Sequence, residues 1–153
     1  MRQIVLALIL TIMALNVDLR SASAQSGPRL NHLAIYVKDL AVSARFYAET
    51  IGLDTIPEPF HDGKHAWFNL GGMGQLHVIS GAEKPIEKNK NNHLCFSVPS
   101  IEAYIFKLNE RKIPFENWLG EKGQVTLRPD GKKQIWFQDP DGYWIEINND
   151  FQP

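Results

Sequence analysis

One cysteine, Cys95, occurs in 153 residues. No internal disulfide can form, so the fold must rest on its core rather than on covalent staples. Excess charge is missing too: 16 Lys and Arg stand against 17 Asp and Glu. A chain so balanced carries no electrostatic footprint for nucleic acid or an anionic membrane. Long apolar runs are confined to the first residues, where 4–15 form a stretch too short to span a bilayer comfortably. With Arg2 before it and Ala22-Ser23-Ala24 after it, this stretch reads as a signal peptide over residues 1–24, cut before Gln25. No cysteine follows the small residues, so a lipid anchor has no attachment point and no stable membrane anchor is expected after processing.

Cleavage leaves 129 of the 153 residues and, with Arg2, Arg20 and Asp18 removed, a net charge of −2. That length suits one ordinary domain. Export without disulfides points to a bacterial periplasm.

What the chain does have is a repeat. Asn31-His32-Leu33-Ala34-Ile35-Tyr36-Val37 is echoed by Asn92-His93-Leu94-Cys95-Phe96-Ser97-Val98, 61 residues later. Each alternates, with an apolar side and a smaller, more polar side headed by a histidine. Each is followed by a capped helix. Asp39 caps a helix to about residue 51 with Leu40, Ala44, Tyr47 and Ile51 on one face, and Gly52 ends it. Ser100 caps the second, whose stripe of Ile101, Ile105 and Leu108 matches Leu40, Ala44 and Tyr47 at the same offset. Short strands are expected at 53–56 and 113–118, then hairpins at 65–80 and 134–148. The second hairpin turns through Asp139-Pro140-Asp141-Gly142, with Pro preset for a turn and Gly free to take positive φ.

The hairpins match at an offset of 69: Trp67-Phe68 with Trp136-Phe137, and His77 with Glu146. Eight extra residues therefore lie in the Gly-rich, charged stretch 119–133, a loop of the kind that borders binding sites or is tolerated at a surface. The expected architecture is α+β: paired βαβββ modules at 30–81 and 92–149, joined by a polar linker at 82–91. Together they form a curved mixed sheet around one concave site, built within a chain or by exchange between two chains as a homodimer.

The repeat sets His32, His77, His93 and Glu146 at corresponding positions on the less apolar strand faces. Three imidazoles and one carboxylate are a donor set for a divalent first-row metal such as Zn, Ni, Co, Mn or Fe(II). Gln75 shares the parity of His77 and competes with it as the ligand. Tyr36, Trp67 and Trp136 are candidates for the apolar wall of a substrate pocket, the two tryptophans equally for plain core. His61 and His65, in and beside a loop, read as ordinary satisfied histidines.

The paired modules, a histidine in each opening strand, and Asp139-Pro140-Asp141-Gly142-Tyr143-Trp144-Ile145-Glu146 together resemble the vicinal oxygen chelate superfamily. That group includes glyoxalase I, bleomycin-resistance proteins and extradiol dioxygenases. The resemblance covers residues 30–149 and implies His32, His77, His93 and Glu146 as metal ligands. Glyoxalase I-like members usually carry Glu or Gln where His77 stands. Extradiol dioxygenases resemble the subset His32, His93 and Glu146. The implied function is a metal-dependent enzyme whose small substrate chelates the ion through two oxygens. A glyoxalase-like lyase or isomerase with Glu146 as ligand and base comes first. A ferrous dioxygenase and a metal-free binding or resistance protein are the alternatives.

Overall fold

The structure, a computed structural model, describes residues 27–72, 74–84 and 88–152. The expected leader, residues 1–24, lies outside the described residues. In the rest, the repeat becomes two mixed four-stranded sheets of identical topology. The first runs β1-β4-β3-β2, from His32–Val37, Gln75–Ser80, His65–Asn69 and Thr55–Ile56. The second runs β5-β8-β7-β6, from His93–Ser97, Trp144–Asn148, Lys133–Gln138 and Thr126–Leu127. The first strand of each module pairs in parallel with its last, and the other pairings are antiparallel.

Helix α1, Leu40–Arg45, starts where the Asp39 carboxylate accepts from Val42 N at 3.0 Å. It continues as a π-helical turn, Phe46–Ile51, in which both Gly52 N and Leu53 N bond to Tyr47 O. Such a widened turn inserts an extra residue without ending the helix. Gly52 then closes it at φ 94. Helix α2, Ile101–Glu110, is capped by Ser100 Oγ accepting from Ala103 N at 3.1 Å.

One core joins the modules. Tyr47, Phe68, Leu76 and Val78 from the first meet Leu108, Ile135, Ile145 and Ile147 from the second, all fully buried. The turn at Asp139 clasps the two halves. Asp139 Oδ2 accepts from the Tyr47 hydroxyl at 2.7 Å, while Oδ1 accepts from Asp141 N and Tyr143 N. Asp141 accepts from Lys38 N and the Ser43 hydroxyl, each at 2.7 Å. Gly142, at φ 83, lets the turn close back on Asp139 O.

One expected strand is corrected. Residues 113–118 form no strand: only Glu116 bridges Trp136, through reciprocal 2.8 Å bonds. The fourth strand of module two comes instead from the inserted stretch, as Thr126–Leu127 against Gln134 and Lys133. Glu116 is opposite Trp136 as Ile56 is opposite Trp67, so the equivalent pairing survives for one residue before the loop departs. Pro114, which has no N–H to give a ladder, stands two residues before that bridge.

Candidate metal and substrate site

The strand register bears out the internal symmetry of the repeat. His77 pairs with Ala34 and Trp67, and Glu146 pairs with Cys95 and Trp136. His77 and Glu146 are thus equivalent, whereas Gln75 is equivalent to Trp144, since they pair with His32 and His93.

In module two, His93 Nε2 lies 3.4 Å from Glu146 Oε2. His93 Nδ1 is 3.0 Å from the carbonyl oxygen of Lys90. A carbonyl can only accept, so the Nδ1 side carries the proton and a neutral ring turns its Nε2 lone pair toward the carboxylate. In the neutral ring two acceptors face each other there, and either a second proton on Nε2, giving an ion pair, or a metal cation between them resolves the conflict. Two donors bound to one ion at about 2.1 Å and roughly tetrahedral angles stand about 3.4 Å apart, so the spacing fits. Glu146 is buried, and its Oε1 accepts from Asn148 Nδ2 at 3.0 Å. Trp136 meets the His93 ring edge-on at 4.6 Å. Lys90 is itself fixed: its ammonium pairs with Glu116 and lies 4.5 Å over the Trp144 ring.

Module one uses its histidines differently. His77 is stacked between Trp67, at 3.9 Å and 2°, and His32, at 4.2 Å and 8°. Imidazole lone pairs lie in the ring plane, so parallel stacked rings do not aim at one ion between them. Amides hold both rings: His32 Nδ1 is 2.8 Å from Asn31 Oδ1, and His77 Nε2 is 2.9 Å from Gln75 Oε1. Burial, then the neighbouring His32 and His65, hold the His77 pKa below the ordinary histidine value. The stack lines an open basin of about 540 Å³, with Phe60 and His65 at its rim. His65 is satisfied as expected, its Nδ1 lying 2.9 Å from Asp62 Oδ1, and it also borders the basin. His61 is set apart by a left-handed backbone at φ 51 and an exposed side chain.

The four expected ligands therefore form two pairs. Among the described residues no group of three or more His, Cys, Asp and Glu side chains is arranged to hold a metal ion. Among the described residues the four side chains do not converge on one point within a single chain, which leaves exchange between two chains as the other expected way of building the shared concavity. The donor chemistry fits a divalent metal, and the His93–Glu146 spacing fits it too. The stacked His32–His77 pair does not fit as it stands.

The pocket candidates separate as well. Trp67 lines the His32 basin, and Trp136 lines a second cleft with Glu116, Phe137 and Trp144. Both indole N–H groups are buried without a hydrogen-bond partner. Tyr36 lines neither: it borders a cleft of about 150 Å³ with Lys84, Lys88 and Tyr143. Its hydroxyl would sit 2.5 Å from a Cβ at Gly81, so that position needs glycine.

Sequence reasoning missed the residues that orient the donors. Asn148 and Gln75 were legible in principle, because each lies two residues from its partner on the same strand face. Asn31 is adjacent to His32. Lys90 gave no local signal, since its carbonyl reaches His93 across the strand start and its ammonium reaches Glu116, 26 residues away.

Comparison with known proteins agrees with this architecture. The profile of the Glyoxalase/Bleomycin resistance protein/Dioxygenase superfamily matches residues 29–147. Human mitochondrial methylmalonyl-CoA epimerase is 37% identical over 133 residues, covering 78% of this chain and 72% of its own. Glyoxylase I 4 of Arabidopsis thaliana is 30% identical over 127 residues, covering 78% and 70%. A solved glyoxalase/dioxygenase from Nostoc punctiforme superposes with a TM-score of 0.66 at 25% identity, covering 81% of this chain and 92% of that one.

Proposed function

We infer the function from two premises: this chain belongs to the Glyoxalase/Bleomycin resistance protein/Dioxygenase superfamily, and its candidate metal donors come in two unequal pairs. The proposal is an exported, divalent-metal-dependent enzyme acting on a small substrate that presents two neighbouring oxygens. A lyase or isomerase is favoured, since the two relatives above are a glyoxylase and an epimerase. The observation that carries it is His93 Nε2 at 3.4 Å from Glu146 Oε2, with the proton of His93 committed to Lys90 O. Bound there, an ion would polarise the substrate oxygens as a Lewis acid. Glu146 Oε2, the oxygen not held by Asn148, is the atom placed to hold the ion or to take a proton from substrate.

His32 and His77 would supply the other donors after leaving their stack. We place that completion in a homodimer, with module one of one copy facing module two of the other. The His32 basin then forms the substrate side of the composite site.

Complementation tests this. His32→Ala and Glu146→Gln chains should each lose activity, Glu146→Gln by at least about 100-fold. Mixed after unfolding, they should regain about a quarter of wild-type activity, because half the dimers are mixed and each holds one intact site. No recovery would rule out a shared site. Metal analysis of protein purified without chelator decides the chemistry: Zn, Ni or Co supports the isomerase, stoichiometric Fe the dioxygenase. Absence of metal would leave a binding protein.

A further inference from the structure

The module-one basin contains a column of parallel rings that metal binding alone does not explain. Trp67, His77 and His32 follow one another at 3.9 and 4.2 Å with planes within 2° and 8°. Phe60 closes one end, edge-on to Trp67 at 6.0 Å. The other end is open: His32 is exposed, and among the described residues His77 is the one aromatic ring stacked on it. The column is built, not incidental, because Asn31 and Gln75 fix both imidazoles by hydrogen bonds. Each amide gives its oxygen to a ring nitrogen. Their NH2 groups therefore remain as donors without a protein partner among the described residues. The basin, at about 540 Å³, has the size of a small-molecule site.

We propose that the outer face of His32 is a stacking platform for a planar, oxygen-bearing aromatic ring, such as a phenol or a quinone. The ligand ring extends the column by one member, and the Asn31 and Gln75 NH2 groups donate to its oxygens. Stacked rings reward planarity beyond the area they bury, whereas a plain apolar cleft does not distinguish a flat ring from a puckered one. The proposal rests on the reading of this basin as the substrate side of the site, but it requires no metal.

The test compares 2-naphthol with its saturated analogue, decahydro-2-naphthol, on the full chain stripped with chelator. Calorimetry gives the affinities, and NMR follows the His32 ring protons. The flat ring should bind saturably, about tenfold tighter than the saturated one, and shift the His32 C–H signals upfield. His32→Leu should lose that preference, and His32→Phe, which keeps a flat face, should retain it. Equal affinity for both alcohols, no saturable binding, or an unchanged preference in folded His32→Leu would overturn the proposal. A Co(II) titration of the same protein separates the two readings. Metal binding without ring preference sinks the platform alone, and ring preference without metal binding sinks the proposed enzyme alone.

Discussion

At matching strand positions, module one presents His32 and His77 and module two presents His93 and Glu146. The first pair is held ring against ring in an open basin; the second is held edge-on by hydrogen bonds to Lys90 and Asn148. The backbone has kept the repeat while the side chains have diverged in what they can bind. Stacked imidazoles offer faces, and the His93–Glu146 pair offers lone pairs and a negative charge.

That contrast depends on the clasp between the halves, so removing the clasp gives the largest expected effect. Asp139→Ala strands the fully buried Tyr47 hydroxyl and two backbone N–H groups. Each orphaned buried group costs about 1–3 kcal/mol, so a loss of about 3–5 kcal/mol is expected, partly softened by water entering the gap. Urea unfolding measures it. Asp141→Ala, which loses contacts to Lys38 N and Ser43, should cost less because Ser43 can rotate to other acceptors. A change under about 1 kcal/mol for Asp139→Ala would show that the core alone holds the modules together. The Asp139 carboxyl is pushed above its ordinary pKa by burial, against the opposing bond from Tyr47. The clasp therefore carries a desolvation cost that its hydrogen bonds offset.

The sequence displayed this turn as a turn, from Pro140 and Gly142, but not as a clasp. Local chemistry announces a bend, while the partners of Asp139 and Asp141 lie 92 to 103 residues away. The same boundary runs through the site. The offsets of 61 and 69 identified His77 and Glu146 as equivalent, because register follows the alternation of apolar residues along each strand. They could not show that His77 would stack on Trp67, since both sequence readings of Trp67, core or pocket wall, are compatible with burial. The inserted stretch hid a strand because Thr126–Leu127 is two residues long and lacks a periodic pattern.

A medium effect, in the pH dependence of stability, sharpens the comparison on the side of module one. The folded state holds the His77 pKa below its ordinary value, chiefly by burial. Above about pH 6.5 neither state protonates this ring and no penalty arises. As pH falls through that value the unfolded chain binds the proton first, so stability is lost until the lower native pKa is reached. The urea midpoint of the chelator-treated protein should fall between pH 7.5 and 5. His77→Phe, which keeps a ring on Trp67, should fall less steeply. Parallel slopes would mean that His77 does not couple stability to pH.

The smallest expected effect decides between neighbours on β4. Gln75 is half-buried, and its side-chain Oε1 accepts from His77 Nε2 at 2.9 Å. Its register partner is His32, and its equivalent in module two is Trp144, which is not a metal-binding residue type. If His77 is the donor, Gln75→Ala removes only an orienting bond, worth about 0.5–1.5 kcal/mol. Co(II) affinity should then drop by no more than about tenfold, while His77→Ala should cost more. The orienting bond must also break before His77 can offer its Nε2 lone pair, so the amide has opposing effects: it holds the ring in the stack and delays its release to a metal. A Gln75→Ala chain that binds Co(II) as well as the wild type fits that balance. One that loses binding as completely as Glu146→Gln would move the ligand from His77 to Gln75. Module one would then present one histidine and one amide oxygen, and His77 would belong to the stacked column alone.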